Sequence, residues 1–371
     1  MRRLQYRLES LFEVGGRGRL MPMEGVRGIA VGLVFLQHYC TQFLEMTDIS
    51  GPTREIATFF RSIGNYGVEL FFVLSGFLIY SILARKHPQF FDFMVRRLER
   101  LYPAFLVALL IGALLDPWRG TPKIPLDLVD GPAYIAANLA FLPGLFPIDP
   151  LFAVNWSLSY EWWFYTVCAL FVSVFGLGAL PSRWRVTGIF AVGALMIGLS
   201  AAGVDHVPIR GLCLVAGMLL AEAHFMKWSM PPGLVAVPAA LAALFLCYLV
   251  SMPAWGQALI LAVAFYLFCG AAFLRQEETG KSLGTALSAP PLRWFGNMSY
   301  SYYLIHGFVI VIASNILLPR LTFIPANILF WGGMPPIFLA TLVAGATLFL
   351  GIEKPFSLRQ RKSKLAQTPA T

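Results

Sequence analysis

Ten stretches of mostly apolar residues fall at roughly 25–44, 64–83, 101–115, 152–178, 186–203, 209–226, 233–252, 256–274, 299–318 and 328–352. An α-helix needs about 20 such residues to cross the hydrocarbon core of a bilayer. The third stretch is short for this unless it starts inside the Arg-rich run before it. A further segment, 133–147, is broken by Pro143 and Pro147 and is expected to be re-entrant or interfacial rather than spanning. Composition agrees: the 371 residues are 58% hydrophobic and 13% charged, with a mean hydropathy of +0.70. Soluble domains carry about 45–50% apolar and about 25% charged residues. A soluble enzyme, a nucleic-acid binder and a disordered protein are excluded.

The formal charge is +9. With the N-terminus inside, 22 of the 28 Lys and Arg residues fall in inner segments and 6 in outer ones. Lys and Arg hold cytoplasmic segments inside, so both termini are expected in the cytoplasm and the span count is even. The expected fold is an all-α membrane protein, a bundle of about ten transmembrane helices. It divides into a basic cytoplasmic segment 1–20, a membrane domain 21–356 and a basic cytoplasmic tail 357–371. Residues 1–20 do not read as a cleavable signal peptide, because they are basic and polar with no cleavage site after a short apolar run. The five cysteines show no CxxC and no metal-ligand spacing. No strong internal repeat supports an inverted-repeat transporter.

Five constellations carry ionisable or hydroxyl groups into this apolar frame. In the first span, Arg27 and His38 are eleven residues apart, which is three turns plus about 20°, so they share a face. Gly25, Gly28 and Gly32 on or near that face permit close helix packing. An intramembrane histidine is either bonded to a neighbouring helix or functional, and a neutral imidazole accepts a hydroxyl proton near neutral pH. In the second span, Glu69 and Ser75 interrupt an aromatic run; Glu69 marks the outer interface, and Ser75-Gly76 suits packing or a local bend. Before the third span, Arg96, Arg97 and Arg100 lead to Tyr102 and Pro103, with Arg96 and Arg100 on one face. They are an inside-positive anchor or an anion site at the cytoplasmic mouth, since arginine forks suit phosphate.

The fourth span opens with Asn155-Trp156-Ser157 and carries Glu161, on the face of Ser157. A buried carboxylate must pair or protonate, and the partners expected for Glu161 are His38 or an arginine. The ninth span sets Tyr302 and Tyr303 at i−4 and i−3 from His306, as an aromatic belt or a pocket lining. Pro355, in Glu353-Lys354-Pro355-Phe356, is expected to stop the last helix. His87, His206 and His224 lie in or at the ends of loops and carry no role here.

In this order the motifs resemble the acyltransferase-3 family of integral membrane O-acyltransferases, typified by bacterial O-antigen and polysaccharide acetylases. The resemblance rests on Arg27 with His38, the run from Gly67 to Ile79, the cluster from Arg96 to Pro103, Trp156-Ser157-Leu158 through Glu161, Ser299-Tyr300 through His306, and Glu353-Lys354-Pro355. It covers about residues 20–356. Glu69 stands where the family usually has Asp, which keeps the charge.

What the resemblance implies is an acyl-coenzyme A donor, often acetyl-CoA, taken from the cytoplasm, with no metal. The acceptor would be a hydroxyl, frequently on a lipid-linked or cell-surface glycan. His38 would be the essential catalytic residue, removing the hydroxyl proton or transiently accepting the acyl group, with Arg27 or a neighbouring donor stabilising the oxyanion and Glu161 orienting His38 or holding the acceptor. Arg96, Arg97, Arg100 and Tyr102 would bind the donor, and Ser75, Trp156, Tyr303 and His306 would line the substrate pocket. The setting would be the bacterial cytoplasmic (inner) membrane. Many relatives carry a fused extracytoplasmic domain, and this chain ends 15 residues after Phe356, so the bare transferase is expected. The rival class is a glycan or lipid transporter or flippase without chemistry, in which Glu161 and His38 would relay protons.

Overall fold

The computed structural model describes residues 8–13, 20–118, 121–275 and 282–358. Most of the expected terminal segments 1–20 and 357–371 lie outside the described residues. Among the described residues every regular element is helical, apart from an isolated bridge between Pro143 and Phe146.

Helices α1 (Met21–Met46), α2 (Gly51–Gly64), α3 (Gly67–Lys86) and α4 (Phe90–Leu115) lead to the short α5 (Asp130–Leu139). Then come α6 (Asn155–Phe175), α7 (Ser182–Ala201), α8 (Leu212–Phe225), α9 (Gly233–Leu249) and α10 (Ala254–Phe273). Two short helices, α11 (Leu283–Leu287) and α12 (Pro290–Asn297), precede α13 (Ser299–Leu317) and α14 (Ala326–Leu348), which runs on as a π-helix, Phe349–Ser357. All ten apolar stretches are thus helical over most of their length. Among the described residues six helical stretches are long and apolar enough to cross a membrane: Gly51–Lys86, Phe90–Trp118, Ser182–Ala201, Ala254–Phe273, Ser299–Arg320 and Ala326–Ser357. The helix of the third expected span begins ahead of the Arg-rich run, at Phe90, and takes the run in. Segment 133–147 forms part of α5 and an irregular stretch after it, and a ten-residue helix is about 15 Å long, too short to span.

The outward faces of α4, α7, α9 and α14 carry exposed Leu110, Leu114, Phe190, Leu195, Leu241, Phe245, Leu339 and Val343. A polar solvent would not tolerate so continuous an apolar surface, and a bilayer does. The chain is a multi-pass integral membrane protein. Three of its buried carboxylates are ion-paired: Glu222 with Arg185 at 2.6 Å, Glu69 with Arg210 at 2.5 Å and Glu24 with Arg293 at 3.4 Å.

Small residues set the helix crossings, as expected without a hydrophobic drive between helices in lipid. Gly76 of α3 faces Gly217 of α8 so closely that a Cβ on either would overlap a carbonyl of the other helix, Leu214 O or Val73 O. Gly25 and Gly28 of α1 do the same against Leu287 O and Leu292 O. Those contacts seat α11 and α12 beside α1 and hand the chain to α13, which lies along α1 in the same direction: Arg27 reaches Ser299 and His38 reaches His306.

Candidate active site

A cavity of about 250 Å³ lies between α1, α3, α4, α6 and α13. Arg27, Arg97 and Arg100 bring three guanidiniums to its wall, and Glu161 brings a carboxylate. Hydroxyls come from Ser75, Ser157, Tyr165 and Tyr303.

The position of the arginines follows from the pattern of α4. Its buried stripe holds Phe93, Leu101, Ala104 and Phe105, and Arg97 falls in that stripe at helical spacing. Arg96 falls outside it and is exposed. The structure therefore brings Arg97, rather than Arg96, to the cavity beside Arg100. The Arg97 guanidinium carbon lies 5.3 Å from the Phe93 ring centroid, and its buried Nε has no hydrogen-bond partner among the described residues. Arg100 donates from Nη1 to Glu353 at 2.5 Å and sits 5.6 Å from the Tyr300 ring. Arg27 donates from Nε to Ser299 Oγ at 3.1 Å and to Gly296 O at 3.3 Å.

Glu353 was legible in the sequence only as part of a terminal motif. The stop expected at Pro355 is not there: the helix widens into π geometry and ends at Ser357. Nine residues in this rarer winding, often found at functional sites, carry the Glu353 carboxylate to full burial. It accepts from the Ser301 hydroxyl at 2.5 Å and the Ser301 amide at 3.1 Å as well as from Arg100.

Glu161 corrects another expectation. Its oxygens accept from the Ser75 hydroxyl and from the Tyr165 hydroxyl at 3.0 Å. Neither His38 nor an arginine is its hydrogen-bond partner among these contacts, because α6 packs on α3 and α4 rather than on α1. Tyr303 bonds Ser157 at 2.7 Å across the cavity.

His38 is half-buried and stands apart from the cavity wall. Its Nδ1 lies 3.0 Å from Val34 O and 3.3 Å from Nε2 of His306. The two rings meet edge-on, with centroids 4.9 Å apart and planes at 82°. His306 is fully buried, and its Nδ1 lies 2.8 Å from Tyr303 O and 3.1 Å from Tyr302 O. Ser299 and His306 are seven residues apart on α13, about 10 Å of rise, so Arg27 and His38 mark two levels of one groove. Tyr303 lies between those levels, with its carbonyl facing His306 and its hydroxyl on Ser157.

Besides Arg96, His38 and His306, two expected site residues lie outside the cavity wall. Tyr102 donates its hydroxyl to Leu139 O at 2.6 Å and so faces α5. Trp156 lies under Arg210, 4.3 Å from the guanidinium carbon to the ring centroid. Arg210 is the partner of Glu69, which is buried in an ion pair. No group of three or more His, Cys, Asp or Glu among the described residues is arranged to hold a metal ion.

A family model described as an acyltransferase domain matches residues 23–352. The chain is 28% identical to exopolysaccharide production protein ExoZ of Rhizobium meliloti, over 82% of this chain and 93% of that protein. It is 26% identical to acyltransferase MdmB of Streptomyces mycarofaciens, over 95% of this chain and 96% of the relative. A third relative, O-acetyltransferase OatA of Staphylococcus aureus, is 28% identical over 52% of this chain but only 30% of its own length. No solved structure matches the chain.

Proposed function

The chain belongs to the acyltransferase-3 family and is an O-acyltransferase, and from that premise we propose that it moves an acetyl group from acetyl-coenzyme A to a hydroxyl of a polysaccharide. The observation that carries the donor assignment is the arginine-lined cavity. Three guanidiniums, one with an unpartnered buried Nε, suit the phosphates and carbonyl oxygens of an acyl-coenzyme A. The polysaccharide acceptor is supported by the name of the Rhizobium relative, and a lipid-linked form would bring it to the membrane.

Residues 21–356 form the membrane domain of ten spans, with the flanking segments 1–20 and 357–371 in the cytoplasm and the donor entering from that side of the inner membrane. The charge asymmetry of 22 against 6 supports this orientation. The Arg97–Arg100 end of the cavity is then the donor's mouth.

In the reaction, His38 takes the proton of the acceptor hydroxyl as its oxygen attacks the thioester carbonyl carbon. The C–S bond breaks, and the leaving thiolate takes the proton back from His38. The charge that develops on the carbonyl oxygen falls to a donor beside His38, where a fixed donor in a water-poor site acts strongly; Arg27, about 10 Å of rise away, holds the anionic groups of the acyl donor instead. Glu161 balances the three arginines and holds the acceptor hydroxyl through its Ser75 and Tyr165 contacts.

Purified protein incubated with acetyl-CoA and acceptor polysaccharide should release free thiol and acetylate the glycan. His38→Ala should lose at least ~10²-fold in rate, the lower range of general-base help, while still inserting and folding. A fully active His38→Ala protein overturns the assignment of the base. Donor-independent movement of glycan with no thiol release would instead favour a transporter.

A further inference from the structure

The hydrogen bonds around His38 and His306 fix where the protons sit on both rings. A carbonyl oxygen only accepts. His306 Nδ1 faces two carbonyls, Tyr303 O and Tyr302 O, so it carries the proton. In the neutral ring His306 Nε2 is then a bare acceptor. His38 Nδ1 faces Val34 O and that same Nε2, both acceptors, so it too carries a proton. A doubly protonated His306 would reverse the bond between the rings and leave a bare His38 nitrogen against a carbonyl.

We propose that His306 is a positioning residue that locks His38 in the Nδ1–H tautomer, leaving Nε2 as the atom that takes the acceptor's proton. This rests on the reading of His38 as the base. The device matches the need of any histidine base: the nitrogen away from the substrate must be held by an acceptor so that the other is free. An aspartate commonly fills that role; here a second histidine fills it, itself aimed by the α13 backbone and stacked on Tyr302 with ring planes 5° apart. His306 is the acceptor that lies on another helix, and so ties the ring's orientation to the packing of α13 on α1. When His38 becomes an imidazolium during transfer, its Nδ1–H still points at a lone pair.

The test is histidine-selective ¹⁵N labelling with NMR on the full-length protein, alongside steady-state kinetics of His306→Phe and His306→Gln. In the wild type, the His38 signals should show Nδ1 protonated and Nε2 bare. In His306→Phe, which keeps an aromatic ring but offers no acceptor, they should move to a tautomer mixture. kcat should fall between ~10-fold and the ~10⁴-fold seen when a catalytic histidine takes the wrong tautomer, with both KM values unchanged. His306→Gln, whose side-chain oxygen can accept from Nδ1–H, should recover most of the rate. A proton on Nε2 in the wild type, or wild-type turnover in His306→Phe, overturns the proposal. Should His306→Phe fail to fold, the wild-type spectrum and the Gln variant still decide it. Failure of the base assignment itself is seen separately, as activity in His38→Ala.

Discussion

Arg100 and Glu353 form an ion pair of 2.5 Å in which the Glu353 side chain is fully buried and the Arg100 side chain, which lines the cavity, is 25% exposed. Glu353 also takes both donors of Ser301. The pair therefore clamps three elements, α4, α13 and the π-helix, around the rim of the arginine-lined cavity. Removing one partner of a buried pair typically costs about 3–5 kcal/mol, less here because Arg100 is partly solvated. Glu353→Gln should lower the thermal midpoint in detergent and raise the donor KM several-fold, as Arg100 loses its fixed direction. An unchanged midpoint together with an unchanged KM would show that the clamp has no such role.

The two neighbouring arginines of α4 should separate cleanly. Arg97 lines the cavity with an unpartnered buried Nε, whereas Arg96 is exposed. A charge-assisted hydrogen bond contributes about 1.5–3 kcal/mol, so Arg97→Ala should weaken acetyl-CoA binding by ~10- to ~100-fold. Arg96→Ala should change it less than ~3-fold, the range of a screened surface charge. Isothermal titration with a non-hydrolysable acyl-CoA analogue reads both; equal losses would place the donor outside this cavity.

Gly217 offers a test of packing alone. A Cβ at this position would overlap Val73 O of α3, backbone that cannot swing aside. Gly217→Ala should push α8 off α3 and destabilise the protein by ~1–3 kcal/mol. By contrast Gly188→Ala on α7, where nothing lies within 4 Å, should be neutral or slightly stabilising. Thermal unfolding followed by intrinsic fluorescence checks the pair.

The apolar stretches made the helices legible, because a bilayer leaves a backbone few other options. The Arg27–His38 face was legible for the same reason, helical period being rigid over three turns. The sequence could not say which arginine of the α4 run turns inward, since that depends on the Phe93–Phe105 stripe finding its neighbours. Nor could it reveal the π winding that buries Glu353, because Pro355 reads locally as a stop. The amphipathic α2 and the short α11 and α12 were missed: at 5 to 14 residues they fall below spanning length, and their burial is set by tertiary contact. The partners of Glu161 depend on which helix α6 packs against, information that lies between segments rather than within one.

Glu161 is the acidic group among three arginines at the cavity wall, and its hydrogen bonds run to Ser75 and Tyr165. Glu161→Gln keeps the shape and one acceptor oxygen but removes the charge. The arginines would then face an anionic donor with no competing carboxylate, so acetyl-CoA binding should hold or tighten. Turnover should fall, because the acceptor hydroxyl loses a charged acceptor that fixes its direction, and misplacing a reacting group by about 1 Å can cost ~10²-fold. The expected signature is thus a split: donor Kd equal to or below that of the wild type, with kcat lower by ~10- to ~10²-fold. A purely structural role would instead weaken both together and lower the thermal midpoint. Ser75→Ala, which removes one donor to the carboxylate but leaves its charge, should lower kcat by less than Glu161→Gln. A larger effect from Ser75→Ala would move the acceptor contact from the carboxylate to the serine hydroxyl.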